Sequence, residues 1–121
     1  MKTIESMEQA VCAYIQAFKD KDLEAIIALF APGATVEDPV GTPKHEGIAV
    51  IRDFYARSLA TGAVLTQQGE TRVAGDCAAF AFHAVVPGMG HVEVIDIFRF
   101  DEAGKIIEMR AFFGPKNFKY S

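Results

Sequence analysis

The chain has 121 residues, half of them hydrophobic, and its 12 basic and 16 acidic side chains give a net charge of −4. This length suits one domain with a substantial core, which we expect to span residues 1–121. The acidic balance and the lack of any basic cluster argue against nucleic acid as a partner. The amino-terminal residues contain no long apolar run, so we expect no secretory signal, no membrane span and a cytoplasmic location.

The first half of the chain carries helical patterns. Thr3 can cap a first helix, whose apolar stripe of residues three and four apart includes Ile4, Tyr14 and Phe18. A second helix is predicted over 23–30 and is expected to end at the Pro-Gly pair at 32–33. A third helix is predicted over about 48–59 and turns the side chain of Tyr55 inward.

Beyond residue 62 the apolar pattern changes from a helical period to a period of two. We predict strands at about 65–73, 77–86, 91–100 and 105–113, joined by turns that contain glycine. Consecutive strands joined in this way pair as an antiparallel meander. The sequence therefore predicts an α+β domain in which three amino-terminal helices pack on a curved mixed or antiparallel sheet, forming a cone with an apolar cavity.

One short strand, over about 34–38, delivers a carboxylate to this cavity. Side chains alternate along a strand, so Asp38 shares a face with Ala34 and Val36, while Glu37 points to the other face. Pro39 cannot continue the hydrogen-bonded ladder and ends the strand. Asp38 is thus placed to act as a base, and the alternation favours it over the neighbouring Glu37.

Two more polar side chains stand on apolar faces. Asp96 is flanked on its strand face by Val94 and Phe98, without a Lys or Arg, so it must pair with a distant cation or keep its proton. A bulge that turns Asp96 outward, or a salt bridge to a helix, would explain it equally well. Tyr14 lies in the stripe of the first helix, where its hydroxyl either finds a buried partner or reaches solvent at the edge of the core.

Together, these side chains are suited to one type of reaction. A carboxylate in apolar surroundings can remove a proton α to a ketone if hydroxyl donors stabilise the resulting oxyanion, and Tyr and protonated Asp are such donors. Returning the proton to another carbon shifts a double bond without any cofactor. His83 and His91 have no metal-ligand spacing or nucleophile beside them, so we expect neither a metal nor a catalytic triad.

Motifs along nearly the whole chain resemble the bacterial Δ5-3-ketosteroid isomerases of the NTF2-like (SnoaL-like) superfamily. They are Tyr14 on the first helix, ATVEDPVG at 34–41, the pair Phe54-Tyr55, AFAF at 79–82, IDIFRF at 95–100 and MRAFFG at 109–114. Several separate matches in the same order are more specific than any one motif. A neutral carboxylic acid that donates a hydrogen bond is a known feature of this enzyme family.

The resemblance implies that Asp38 is the general base that moves a proton from C4 to C6 of a 5-ene-3-ketosteroid. It implies that Tyr14 and protonated Asp96 hold the C3 oxyanion and that Tyr55 supports Tyr14. The candidates for the apolar walls around the steroid are Val36, Phe54, Phe82, Val94, Met109 and Phe113. It also implies a homodimer that associates through its sheets, a cis peptide bond before Pro39, no metal and no cofactor.

Two positions depart from the family pattern. Phe30 stands where some members carry a tyrosine that extends the hydroxyl network, and Phe113 stands where some carry a tryptophan, so the substrate scope is open. Two alternatives remain. Another NTF2-like enzyme, such as a cyclase, dehydratase or epoxide hydrolase, would need an Asp-His pair or a set of Asp, Arg and Asn. A non-catalytic module that binds an apolar ligand would need neither Asp38 nor Asp96 on an apolar face.

Overall fold

A computed structural model describes residues 2–120. Within this range the helices are α1 (Ile4–Asp20), α2 (Leu23–Ile27) and α3 (Ile48–Ala60). The strands are β1 (Phe30–Glu37), β2 (His45–Glu46), β3 (Val64–Ala74), β4 (Cys77–Val86), β5 (Gly90–Phe100), β6 (Ile106–Phe112) and β7 (Phe118–Lys119). A short 3₁₀ helix, Pro115–Asn117, precedes β7. Residues 1 and 121, the ends of the predicted domain, lie outside the described range.

The described strands form one mixed sheet in the order β2-β1-β6-β5-β4-β3, and β7 pairs with β5 beside this path. Strands β3 to β6 are the predicted antiparallel meander, whereas β1 pairs with β6 in parallel. The α-helices pack on the inner face of the curved sheet, with α1 against β3 and β4 and α3 against β1. The prediction of an α+β fold with three helices on a curved mixed sheet is confirmed.

The predicted second helix is too long. It ends at Ile27, and β1 begins at Phe30 and runs through Pro32, which was expected to end the helix. The reason is tertiary: the Leu29 carbonyl accepts a hydrogen bond from the Ile106 N–H at 2.8 Å, and Phe30 pairs with Ile106. Capture by β6 therefore converts a helical apolar spacing into the start of a strand.

The apolar stripe of α1 enters the core as predicted from Met7 to Phe18, but the prediction is wrong for Ile4, which is 59% exposed in the first turn. The side chains of Thr3 and Ser6 form a reciprocal capping pair that begins this helix. The same stripe carries Tyr14 into the interior, which is how the helix contributes to the site. Of the described residues, none belongs to a helix that is both long and apolar enough to cross a membrane.

Candidate active site

A cavity of about 230 Å³ lies between the helices and the inner face of the sheet and opens to solvent. Its walls are mostly apolar and aromatic, as in most small-molecule sites. The lining residues are Tyr14, Phe18, Asp38, Phe54, Tyr55, Ser58, Thr61, Ala63, Leu65, Phe82, Ala84, Val92, Val94, Asp96, Phe113 and Phe118. The hydroxyls of Ser58 and Thr61 donate to carbonyls of α3, to Phe54 and Ser58 respectively. The polar groups left to act on a ligand are those of Tyr14, Tyr55, Asp38 and Asp96.

Asp38 directly follows β1, and the peptide bond that joins it to Pro39 is cis. Its carboxyl group is half-buried, and burial raises its pKa from 3.8 to about 6. The neighbouring Glu37 is engaged elsewhere, since its Oε2 accepts the Gly41 N–H at 2.9 Å and its Oε1 lies 3.5 Å from Arg110 Nε. The Gly41 N–H, together with Arg110, holds the pKa of Glu37 below its usual range. Asp38 is therefore the carboxyl group whose pKa suits proton transfer near neutral pH.

Asp96 is a buried carboxyl group, with 1% of its surface exposed. It faces inward from β5 between Phe80 of β4 and Ala111 of β6, so the alternative that a bulge turns it outward does not hold. Its Oδ1 has no hydrogen-bond partner among residues 2–120. Burial, with a smaller contribution from the Asp38 carboxylate, raises the pKa of Asp96 well above its usual value. The neutral acid, with an O–H group available to a ligand, is the form that these surroundings favour.

Tyr14 and Tyr55 form a hydroxyl pair at the base of the cavity, with their oxygens 2.9 Å apart. The Tyr14 hydroxyl is thus a buried group with a buried partner, and not one that reaches solvent at the edge of the core. Burial, and then the neighbouring Tyr55 and Asp96, raise the pKa of Tyr14, so it stays a neutral donor. The Tyr55 ring next meets Phe30, at 5.7 Å between centroids, and Phe30 has no hydroxyl to extend the pair.

The predicted wall residues divide into two groups. Phe54, Phe82, Val94 and Phe113 line the cavity. Val36 and Met109 are not among the lining residues: they are fully buried partners across β1 and β6. Strand alternation predicted that Val36 faces inward, and the family resemblance supplied Met109; both side chains lie in the hydrophobic core.

The structure adds lining residues that the sequence reading missed. Ala84 and Val92 share the faces of Phe82 and Val94, so strand alternation could have found them. Phe118 is different. The chain turns back after β6 and lays β7 against β5 at Val92, and no periodic pattern in the sequence signals this return.

The cavity of this α+β domain thus holds two carboxyl groups whose pKa values are raised and a hydroxyl pair, an arrangement that can transfer protons. Comparisons with known proteins identify the family. The SnoaL-like domain family matches residues 11–109. The steroid Delta-isomerase of Nocardioides simplex is 39% identical over 112 residues, which are 90% of each chain.

Two further similar proteins have names that describe a different reaction. The epoxide hydrolase LasB of Streptomyces lasalocidi is 30% identical over 88% of this chain, which corresponds to 41% of LasB. The solved structure of SalBIII, described as epoxide hydrolase/cyclase-like with a role in pyran ring formation in the polyether salinomycin, matches with a TM-score of 0.92. That match covers 100% of both chains at 25% identity. The chain belongs to the SnoaL-like (NTF2-like) superfamily and, within it, to the steroid Δ-isomerase family, which makes it an isomerase by class.

Proposed function

We propose that the chain is a steroid Δ-isomerase that moves the C5–C6 double bond of a 3-oxo-Δ5-steroid to C4–C5. The observation that carries the proposal is the set of side chains in one apolar cavity: Asp38 with a pKa of about 6, buried Asp96 and the Tyr14 hydroxyl. Aromatic walls at Phe54 and Phe82 suit a flat, apolar ring system. The relative from Nocardioides carries the same activity in its name.

In the first step the Asp38 carboxylate takes a proton from C4, and the C3 carbonyl oxygen gains the negative charge of a dienolate. Tyr14 O–H and the protonated Asp96 donate hydrogen bonds to this oxygen, where each donor is worth about 100- to 1000-fold in rate. In the second step Asp38 returns the same proton to C6, which regenerates the carboxylate and leaves the double bond at C4–C5. The sum is an isomerisation that needs no cofactor or metal.

The hydroxyl pair gives Tyr55 a positioning role in this proposal. Either oxygen of the 2.9 Å contact can be the donor. When Tyr55 donates to Tyr14, the Tyr14 proton is free to point at the substrate oxygen. The pair holds the Tyr14 ring together with Phe98, whose centroid lies 5.0 Å away in an edge-to-face arrangement.

A second candidate function is the opening of an epoxide, favoured by the likeness to SalBIII and by the two carboxyl groups in the cavity. A neutral Asp96 could protonate an epoxide oxygen while Asp38 activates a nucleophile. Such enzymes would need an Asp-His pair or a set of Asp, Arg and Asn, and the described residues that line the cavity include no His, Arg or Asn, so we rank the isomerase first.

The two candidates are separated by offering the purified protein a 5-ene-3-ketosteroid and, in a parallel assay, a steroid of similar size that carries an epoxide. We expect absorbance of the conjugated enone to rise with the first substrate and the epoxide to remain unchanged. Ring opening of the epoxide without enone formation from the ketosteroid would replace the isomerase by the hydrolase.

The pH dependence of kcat/KM should follow the ionisation of the Asp38 carboxyl group. Only the carboxylate can accept the C4 proton, so kcat/KM should fall about tenfold per pH unit below pH 6 and level off above pH 7. The measurement is kcat/KM between pH 4.5 and 8.5, in buffers of constant ionic strength. A flat profile, or a midpoint near the usual aspartate pKa of about 4, would show that burial does not raise the pKa of the catalytic base.

We also propose a homodimer formed through the outer face of the sheet. On that face Ile95 and Phe112 are direct cross-strand neighbours with 48% and 38% of their surfaces exposed, and Val85 is 43% exposed. Exposed apolar side chains grouped in this way are typical of an interface. Light scattering should give twice the chain mass, and Ile95→Lys should yield monomers; a monomeric wild type would contradict the dimer.

The single domain over 1–121 and the cytoplasmic location stay predictions.

A further inference from the structure

Two histidines and a glutamate gather on the face of the sheet that points away from the cavity. His83 of β4 is directly opposite Glu93 of β5, and His91 lies two residues before Glu93, on the same face of β5. Their potential ligand atoms all lie within 4.8 Å of one another. We propose that these three residues, named the outer histidine site, bind a divalent transition-metal ion of the zinc type.

The donor atoms select the kind of metal. Two imidazole nitrogens and one carboxylate oxygen are ligands that Zn²⁺ accepts, usually in a tetrahedral arrangement that leaves one position for water. Ca²⁺ and Mg²⁺ prefer ligand sets built from oxygen, so they are not expected to compete. The site is distinct from the cavity, since β4 and β5 themselves separate the two.

The distances fit a site that closes by rotation of side chains alone. Zinc bonds of about 2.1 Å place tetrahedral ligand atoms about 3.4 Å apart. His83 Nε2 and Glu93 Oε2 are already 3.6 Å apart, and in the single chain their side chains are 30% and 43% exposed, which leaves them room to rotate before two outer faces associate. The ring of His91 lies 4.5 Å from that of His83, centroid to centroid, at an angle of 18°. Paired strands hold all three backbones in register, so closing the site requires no movement of the main chain.

A cross-strand contact between His83 and Glu93 would also exist in a protein that binds no metal, because opposite pairs of this kind are common in sheets. Such a pair needs only one histidine. The second imidazole lies beside the first, with a ligand atom within 4.8 Å of the glutamate carboxylate. The His83–Glu93 pair does not account for this second imidazole, whereas a metal site would use it.

A bound metal would join β4 to β5 directly behind the wall of the cavity. Val92, which lies between His91 and Glu93, and Phe82, which precedes His83, both line the cavity from the inner face. Because the metal binds the folded arrangement of both strands, saturation should raise the thermal midpoint of unfolding by about 5 °C.

The test is a titration of the full chain, free of any histidine tag and pretreated with chelator, with Zn²⁺ in competition with a chromogenic chelator. The site lies on the face proposed for the dimer, with His91 directly opposite Val85. Metal is therefore counted per chain both in the native oligomer and in the Ile95→Lys monomer. The variants are His83→Ala, His91→Ala and Glu93→Gln. The matched control is His45→Ala, which removes the remaining histidine, on β2, far along the sheet order from β4. Co²⁺ provides a second probe, since its visible absorption reports tetrahedral coordination.

We expect one Zn²⁺ per chain with micromolar affinity, at least tenfold weaker binding in each site variant, and an unchanged affinity in His45→Ala. The rise in thermal midpoint should disappear in His83→Ala. No saturable binding by a folded wild type would overturn the proposal, as would binding that depends on His45 and survives the loss of both outer histidines. Because none of these readouts involves the steroid, the outcome is independent of the proposed isomerase activity.

Discussion

Replacement of Asp38 by Asn should lower kcat/KM for a 5-ene-3-ketosteroid by at least about 1000-fold, near the upper part of the range for general base catalysis. An amide cannot accept the C4 proton, although it fills the same space at the end of β1. The measurement is the rate of enone formation by wild type and variant at pH 8, where the Asp38 carboxyl, with its pKa of about 6, is ionised in the wild type.

Glu37→Gln is the matched control for this variant, because it removes a carboxylate one residue away on the other face of β1. The glutamine oxygen can still accept the Gly41 N–H, so we expect kcat/KM within about threefold of wild type. A large loss in Glu37→Gln together with an active Asp38→Asn would reverse the assignment of the base.

A stability measurement on Asp38→Asn separates a loss of chemistry from a loss of fold. The pKa of Asp38 rises from 3.8 to about 6 on folding, so the folded state holds this proton more tightly than the unfolded state does. Ionisation therefore destabilises the folded wild type as pH rises from about 4 to 6, by about 3 kcal/mol in full. The neutral amide avoids that cost. The variant should gain about 1–3 kcal/mol in unfolding free energy at pH 8 and little below pH 4, measured by urea denaturation.

The second large effect is expected at the two donors to the oxyanion. Tyr14→Phe and Asp96→Ala should each lower kcat by about 100- to 1000-fold, because each removes one hydrogen bond that strengthens as the dienolate forms. Asp96→Asn keeps an N–H donor of similar shape and should be clearly milder than Asp96→Ala. Tyr55→Phe should cost less than Tyr14→Phe, since Tyr55 acts on the substrate only through the Tyr14 hydroxyl.

The protonation state of Asp96 can be measured independently of the kinetics. At neutral pH the infrared spectrum should contain the carbonyl band of a buried protonated carboxyl group, and the band should vanish in Asp96→Asn. Equal activities of Asp96→Asn and Asp96→Ala would remove Asp96 from the oxyanion site. An ionised Asp96 at pH 7 would contradict its role as a donor, whatever the kinetics.

The site residues could be chosen from sequence because each breaks a local rule. Asp96 is a carboxyl group on an apolar strand face, Tyr14 is a hydroxyl in an apolar helical stripe, and Asp38 ends an apolar strand at a proline. Alternation along strands and helices fixes which way such side chains point. The sequence pattern could not show that Tyr14 and Tyr55 meet, because they lie 41 residues apart and only the packing of α1 against the sheet and α3 joins them.

The errors arise where tertiary contacts override a local pattern. The second helix stops early because β6 captures the chain at Leu29 and Phe30. Val36 and Met109 face inward, but they are fully buried in the core and are not among the residues that line the cavity. The sequence pattern also could not indicate the proposed outer histidine site, because His83 and Glu93 lie ten positions apart and meet only through the register of the β4–β5 hairpin.

The central claim is that one carboxyl group, Asp38, carries a proton from C4 to C6 inside an apolar cavity. A substrate with deuterium at C4 tests it directly in ordinary water. The account predicts slower turnover than with the unlabelled substrate, and deuterium at C6 in a substantial share of the product, because the cavity limits exchange with solvent. A product that carries only solvent hydrogen at C6, formed without any isotope effect, would contradict it.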